Sequence, residues 1–151
     1  MIEYRQVSKS YNKGAVRAVD DLTLTVRPGE IFGFLGPNGA GKTTALKMTV
    51  GLLRPDTGTI LVDGHDVARE PLAAKRVTCY VPDTPAVYDR LTGIEYLNFI
   101  GDVYGVARKD RLERIERWAE RLDLAGALAS PIQSYSHGMK QKIVLVAALL
   151  P

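Results

Sequence analysis

The run Ile31-Phe32-Gly33-Phe34-Leu35, continued by Gly36-Pro37-Asn38-Gly39-Ala40-Gly41-Lys42-Thr43, reads IFGFLGPNGAGKT and decides the fold. Apolar residues on consecutive rather than alternate positions predict a strand covered on both faces in a parallel sheet. The second half fits G-x-x-x-x-G-K-[ST] at every fixed position, and a helical stretch from Thr44 to Val50, stopped by Gly51, follows it. A glycine-rich loop of this kind curls with its N–H groups turned inward. The helix behind it adds about half a positive charge at its N-terminus. Phosphate oxygens are the chemistry that such a loop suits. The pattern assigns Gly36, Asn38, Gly39, Ala40 and Gly41 to the cradle, Lys42 to the β- and γ-phosphates, Thr43 to Mg²⁺ and Thr44 to the α-phosphate. Each charge-assisted bond is worth on the order of 1.5–3 kcal/mol.

Working outward, the alternation in Leu22-Thr23-Leu24-Thr25-Val26 predicts a half-buried strand ended by the turn Arg27-Pro28-Gly29-Glu30. Thr59 to Val62 followed by Asp63-Gly64 predicts a strand and hairpin turn, and Val77 to Val81 a short strand ended by Pro82. From Leu91 the pattern turns helical. In DRLERIERWAERLDL, Leu112, Ile115, Trp118 and Leu122 recur at helical spacing, with Trp118 as core anchor and Asp110/Arg114 and Glu113/Arg117 as i,i+4 pairs. A last helix is expected from near Ser136 through IVLVAALL. No repeat, low-complexity tract or linker interrupts the chain, so residues 1–151 are expected to form one folding unit with an α/β half and a helical part.

Composition supports this frame. The 151 residues are 46% apolar and 25% charged, the proportions of a soluble globular domain. Cys79 is the only cysteine, which excludes an internal disulfide framework or a multi-cysteine metal site and suits a reducing compartment. The N-terminal MIEYRQVSKSY has no apolar signal-peptide core, and the longest apolar run, Ile143 to Leu150, is far short of a membrane span. A cytoplasmic place is expected. The net charge of +3 is spread over interleaved acids and bases, so no nucleic-acid partner is expected.

With GPNGAGKTT, Tyr11 upstream, YVPD ending at Asp83 and YSHGMKQK downstream, the chain resembles the ATP-binding subunit of ABC transporters over Ile2 to Pro151. VPDTPAVYDRLT and YSHGMKQK look most like bacterial exporters whose membrane subunits are separate chains. The resemblance implies a P-loop cassette with an N-terminal β subdomain and a helical subdomain, binding ATP and Mg²⁺. It implies that Tyr11 stacks on adenine and that Val16 and Ala18 line the ribose side. Asp83 falls at the family's glutamine-loop position, as catalytic and metal-binding candidate, and Tyr88 to Tyr104 is the segment that meets the membrane subunit in relatives. The signature segment is Tyr135 to Met139, which in relatives touches the γ-phosphate of ATP held by the opposite subunit, so the resemblance implies Ser136, His137 and Gly138 as contacts in trans. The implied partners are a second nucleotide-binding subunit in a head-to-tail dimer and a polytopic membrane permease, with the protein peripheral on the inner face of the cell membrane. Two departures stand out. Asp83 replaces the usual glutamine, and His137 and Met139 replace a glycine and a glutamine of the signature.

Relatives in this family continue into an apolar strand ending Asp-Glu and then a switch histidine, neither of which occurs here. Asp63 is followed by Gly64 and reads as a hairpin, and His65 and His137 are not the switch residue. The cassette is therefore expected to be incomplete at its C-terminus. By itself it is expected to bind ATP–Mg²⁺ weakly, with hydrolysis reduced by roughly 10²–10⁴ for want of a water-positioning carboxylate. Two other readings remain: a non-hydrolytic nucleotide-binding or regulatory module, and a soluble ABC protein acting on ribosomes. A GTPase is disfavoured because Asn12-Lys13-Gly14 is not N-K-x-D. A DNA-repair ATPase is disfavoured because the interval from Asp83 to Ser136 lacks sustained heptads.

Overall fold

A computed structural model describes all of residues 1–151. The chain divides into two compact units, Met1–Cys79 and Tyr80–Pro151.

The first unit is built on a four-stranded antiparallel sheet in the order β2-β1-β3-β4. Its strands are β1 (Ile2–Tyr11), β2 (Val16–Val26), β3 (Thr57–Val62) and β4 (His65–Asp66). Asn12, Lys13 and Gly14 all take positive φ and turn β1 back into β2, with Tyr11 opposite Val16. Central β1 pairs on both edges, so Tyr4 faces Leu24 on one side and Ile60 on the other. Its register shifts after Tyr4, where Gln6 takes a φ of 51°, a bulge that bends the strand. The hairpin at Asp63-Gly64 forms as predicted, with φ of 49° and 84°, the signature of a tight two-residue turn.

Two helices accompany the sheet: α1 (Lys42–Thr49) and α2 (Pro71–Arg76). Gly51, at φ 69°, donates its N–H to the Met48 carbonyl and stops α1 as the sequence predicts. Tyr4, Val7, Val19, Ala45, Met48, Ile60, Val62, Val67 and Ala74 form the core of this unit.

Two predicted strands are not present. Ile31 to Leu35 takes an irregular path, with Ile31 fully exposed and Leu35 93% exposed. A strand exists through the ladder it joins, and no other segment of the 151 residues pairs with this one. Phe34 alone turns inward, edge-on to Tyr4 at 6.5 Å between ring centres. Val77 to Val81 is likewise irregular, and Val77 and Val81 are exposed.

The second unit is helical: α3 (Gly93–Val103), α4 (Arg108–Arg121) and α5 (His137–Ala148). Thr92 caps α3 in a reciprocal box with Glu95: the Thr92 N–H donates to the Glu95 carboxylate at 2.8 Å, and the Glu95 N–H donates to the Thr92 hydroxyl. Tyr96, Leu97, Ile115, Leu124, Ile132, Tyr135, Ile143, Val146, Ala147 and Leu150 make the core. On α4 the buried stripe is Arg111, Ile115 and Ala119, with Trp118 and Leu122 partly buried against the core, while Leu112 is half exposed. The stripe keeps Ile115 as predicted, but Arg111 takes the buried place expected of Leu112. Its guanidinium donates to Asp102 at 2.5 Å, to the Val106 carbonyl at 3.0 Å and to Asn98 at 3.3 Å. Gly101 leaves room for it, since a Cβ there would come within 2.3 Å of Arg111 Nε. The anticipated pairs on α4 are replaced by other contacts: Arg114 donates to the Leu150 carbonyl, and Arg117 and Arg121 lie 5.2 and 5.4 Å from the Trp118 ring centre. No helix is long and apolar enough to cross a membrane.

Candidate functional site

The loop before α1 is shaped by its glycines. Gly36, Gly39 and Gly41 take φ of 154°, 85° and 82°. The Ala40 N–H donates to the Pro37 carbonyl at 3.2 Å and closes a turn around Asn38. Gly41 is required on two counts: its φ is left-handed, and a Cβ would lie 2.0 Å from the Ala18 carbonyl oxygen on β2. The end of the loop is therefore pressed directly against a strand backbone.

Lys42, the first residue of α1, folds back over this loop. Its Nζ donates to the Gly36 carbonyl at 2.6 Å and to the Pro37 carbonyl at 2.7 Å. An ammonium has three N–H donors, so two carbonyl bonds leave one for an anion. The N-cap position of α1 is glycine, with no side-chain cap and no acidic residue in the first turn. The leading N–H groups and the positive end of the helix dipole are thus left for an anionic ligand rather than satisfied internally.

The tip of β1 reaches the same place. Tyr11 is 38% exposed, and its hydroxyl lies 3.3 Å from the Thr44 hydroxyl in the first turn of α1. Val16, across the hairpin from Tyr11, is half exposed, and Ala18 is partly buried with its carbonyl against Gly41. Asp56 holds this tip. Its carboxylate accepts from Lys9 Nζ at 2.6 Å and from the Ser10 N–H at 2.7 Å, and these bonds keep it below the usual carboxylate range. Its own N–H donates to the Ser8 carbonyl. Tyr11, Val16, Ala18, Gly36 to Gly41, Lys42, Thr43 and Thr44 therefore all belong to the first unit, around one loop.

Thr43 is exposed in the first turn of α1, and no three His, Cys, Asp or Glu side chains converge anywhere in the chain. A cation held by protein ligands alone does not fit these donors. Mg²⁺, which takes one or two protein oxygens and completes its shell with phosphate oxygens and water, does.

Asp83 and Ser136 to Gly138 belong to the second unit. Asp83 is exposed on an irregular segment. Ser136 is the N-cap of α5, its hydroxyl accepting the Met139 N–H at 3.3 Å, and Ser136, His137 and Gly138 are all exposed at that helix end. The flanks of the segment do not share this exposure. Tyr135 is buried and donates to the Ala127 carbonyl at 2.6 Å, and Met139 packs against the core. The outward-facing part of Tyr135 to Met139 is thus three residues, because a tyrosine ring and a thioether bury where a core is within reach. Tyr88, Arg90, Leu91 and Phe99 line a shallow, largely apolar groove of about 360 Å³, in which Tyr88 meets Phe99 edge-on at 5.5 Å and Tyr96 at 6.3 Å.

Sequence reasoning missed Asp56, which bonds Lys9 and Ser10 at the tip of β1 from a segment remote in sequence. No local pattern marks it.

The profile of a family described as ABC transporter matches residues 19–151. The chain is 39% identical over 139 residues to the ABC transporter ATP-binding protein NatA of Bacillus subtilis, a match covering 91% of this chain and 56% of that protein. It is 36% identical over 144 residues to the doxorubicin resistance ATP-binding protein DrrA of Mycobacterium tuberculosis, covering 95% of this chain and 44% of that one. Among solved structures, an ATP-binding subunit of an ABC transporter superposes with a TM-score of 0.91 at 33% identity, over 99% of this chain and 62% of its own. The chain spans about half the length of the curated relatives it matches.

Proposed function

The chain belongs to the ABC transporter family, and from that premise we propose that it binds ATP with Mg²⁺ as the nucleotide-binding part of a transport ATPase. The observation that supports this most is the Lys42 ammonium folded over the Gly36–Gly41 loop at the uncapped start of α1. In this reading the loop N–H groups and Lys42 take the β- and γ-phosphates. Thr43 offers its hydroxyl to Mg²⁺, Thr44 bonds the α-phosphate, and Tyr11 stacks on the base with Val16 and Ala18 beside the ribose. Bound Mg²⁺ supplies neutralisation of phosphate charge.

Residues 1–151 act as one ATP-binding domain in this proposal, its two units serving different contacts. Ser136, His137 and the Gly138 N–H meet the γ-phosphate of ATP held by a second, head-to-tail subunit. The helix-start position of Ser136 favours this, since the dipole of α5 attracts an anion there. Asp83 is the candidate for sensing the Mg²⁺-bound phosphate. The groove at Tyr88, Leu91 and Phe99 is the surface offered to a membrane permease, which would place the subunit on the inner face of the cell membrane. The name of the DrrA relative, a resistance protein, supports export as the direction. Hydrolysis that drives transport is proposed for the full-length subunit. For the 151 residues alone we expect weak binding and negligible turnover.

Titration with a fluorescent ATP analogue and Mg²⁺, beside a phosphate-release assay, tests the reading. Saturable binding that weakens about 10- to 100-fold in Lys42→Ala is expected, on the scale of one charge-assisted contact. Binding indifferent to Lys42 overturns it. Phosphate release that disappears in Lys42→Ala would overturn the expectation of negligible turnover.

A further inference from the structure

Tyr4 is a buried phenol far in sequence from the phosphate loop, 3% exposed on the central strand β1 and paired on both edges. Its hydroxyl bonds the Thr49 hydroxyl, and Thr49 in turn donates to the Ala45 carbonyl at 3.0 Å. A threonine has one hydroxyl proton, so with that proton on Ala45 the shared bond must be donated by Tyr4. Burial raises the Tyr4 pKa, against the opposing effect of the Thr49 bond, so the phenol keeps its proton at neutral pH. The chain of bonds continues: the Ala45 N–H donates at 2.9 Å to the carbonyl of Gly41, the last loop glycine. The other face of the connection is aromatic. Phe34, two residues before Gly36, sits edge-on to the Tyr4 ring, and Phe32 sits edge-on to Phe34 at 5.6 Å.

One side chain on a rigid strand thus grips both segments that flank the loop, its entry through Phe34 and its exit through Thr49 and Ala45. Phe34 is the residue of the entry segment that turns into the core of the first unit, and Tyr4 is the ring it meets there. We propose that Tyr4 is a positioning residue for the phosphate loop, setting the spacing between Gly36 and Gly41 into which Lys42 folds. This rests on the nucleotide-binding reading above, and it assigns to Tyr4 a role in affinity for the phosphates beyond its place in the core.

The test separates position from stability. Backbone amide resonances of the nucleotide-free chain are compared for wild type, Tyr4→Phe and Thr49→Val, with Thr49→Ser as the variant that keeps the hydroxyl. Shifts at Gly39, Gly41 and Lys42 in Tyr4→Phe and Thr49→Val, returning toward wild type in Thr49→Ser, are expected. Changes confined to residues packed against positions 4 and 49 overturn the proposal. ATP–Mg²⁺ titration then reads the consequence at a temperature where every variant is folded. Tyr4→Phe and Thr49→Val each weaken ATP binding about 3- to 10-fold, the double variant no further than either single one, and adenosine binding is unchanged. Equal ATP affinity with only a lower melting temperature leaves Tyr4 a core residue and overturns the proposal. Failure of wild type to bind ATP overturns the nucleotide reading instead, and the loop resonances still decide the role of Tyr4.

Discussion

The two units of this chain reach order by different routes. In the helical unit each helix carries its own start signal and the helices then pack on one another: the Thr92–Glu95 box starts α3, Ser136 starts α5, Arg111 reaches back to Asn98, Asp102 and Val106, and Lys140 joins Asp89. The core closes on Leu97, Ile132, Ile143, Val146 and Leu150, all fully buried. In the phosphate-loop unit the ordering contacts join distant segments. Tyr4 meets Thr49, Lys9 meets Asp56, and Gly41 abuts Ala18. The same unit leaves Ile31, Phe32 and Leu35 exposed beside the glycine-rich loop. The difference teaches that the glycine-rich loop is held by a few point fastenings to other segments, whereas the helices are held by a shared core.

The largest effect expected from this contrast is in the helical unit. Leu97→Ala removes a fully buried side chain and should cost about 2–5 kcal/mol. Trp118, the only tryptophan, belongs to that unit, so denaturant unfolding followed by its fluorescence reads the loss. A cost below about 1 kcal/mol would show a core that relaxes around the gap, and the contrast would fail. Next is Gly41→Ala, which meets the Ala18 carbonyl in a left-handed conformation. It should cost about 1–3 kcal/mol and abolish ATP binding while leaving the Trp118 transition in place. A Gly41→Ala protein that binds ATP normally would mean that the loop is not pressed on β2.

Thr92→Ala, removing the cap of α3, should cost about 1 kcal/mol in the Trp118 transition. The pH dependence sharpens the comparison further. Glu95 is held below its ordinary value by the Thr92 N–H and hydroxyl, as Asp56 is by Lys9 and Ser10. A carboxyl whose folded pKa is depressed contributes stability that is complete above its unfolded pKa and disappears as pH falls through the folded one. Both contributions should therefore be full at neutral pH and fade below about pH 4. The denaturation midpoint is expected to fall between pH 5 and pH 3, with Thr92→Ala showing a smaller drop than wild type. An equal drop in both would remove Glu95 from the account. The smallest effect is Ile31→Ser, which should stay within about 0.5 kcal/mol of wild type in this chain because the side chain is already in water.

By itself the sequence determined the parts whose cause is local. The phosphate loop followed by α1, the Gly51 stop, the Asp63-Gly64 hairpin and the start of α5 at Ser136 were legible because each depends on residues within one turn of one another. The grouping of Tyr11 with Thr44 and the Gly41 approach to Ala18 were decided only by tertiary structure, since sheet register brings those atoms together. Apolar content misled at Ile31 to Leu35 and at Val77 to Val81. Hydrophobicity says that a segment can be buried, but a strand also needs a neighbour for its N–H and C=O groups, and a neighbour is a property of the whole fold. Arg111 makes the same point from the other side. A helical period predicts an apolar stripe, and only the assembled acceptors at Asn98, Asp102 and Val106 let a guanidinium lie within it.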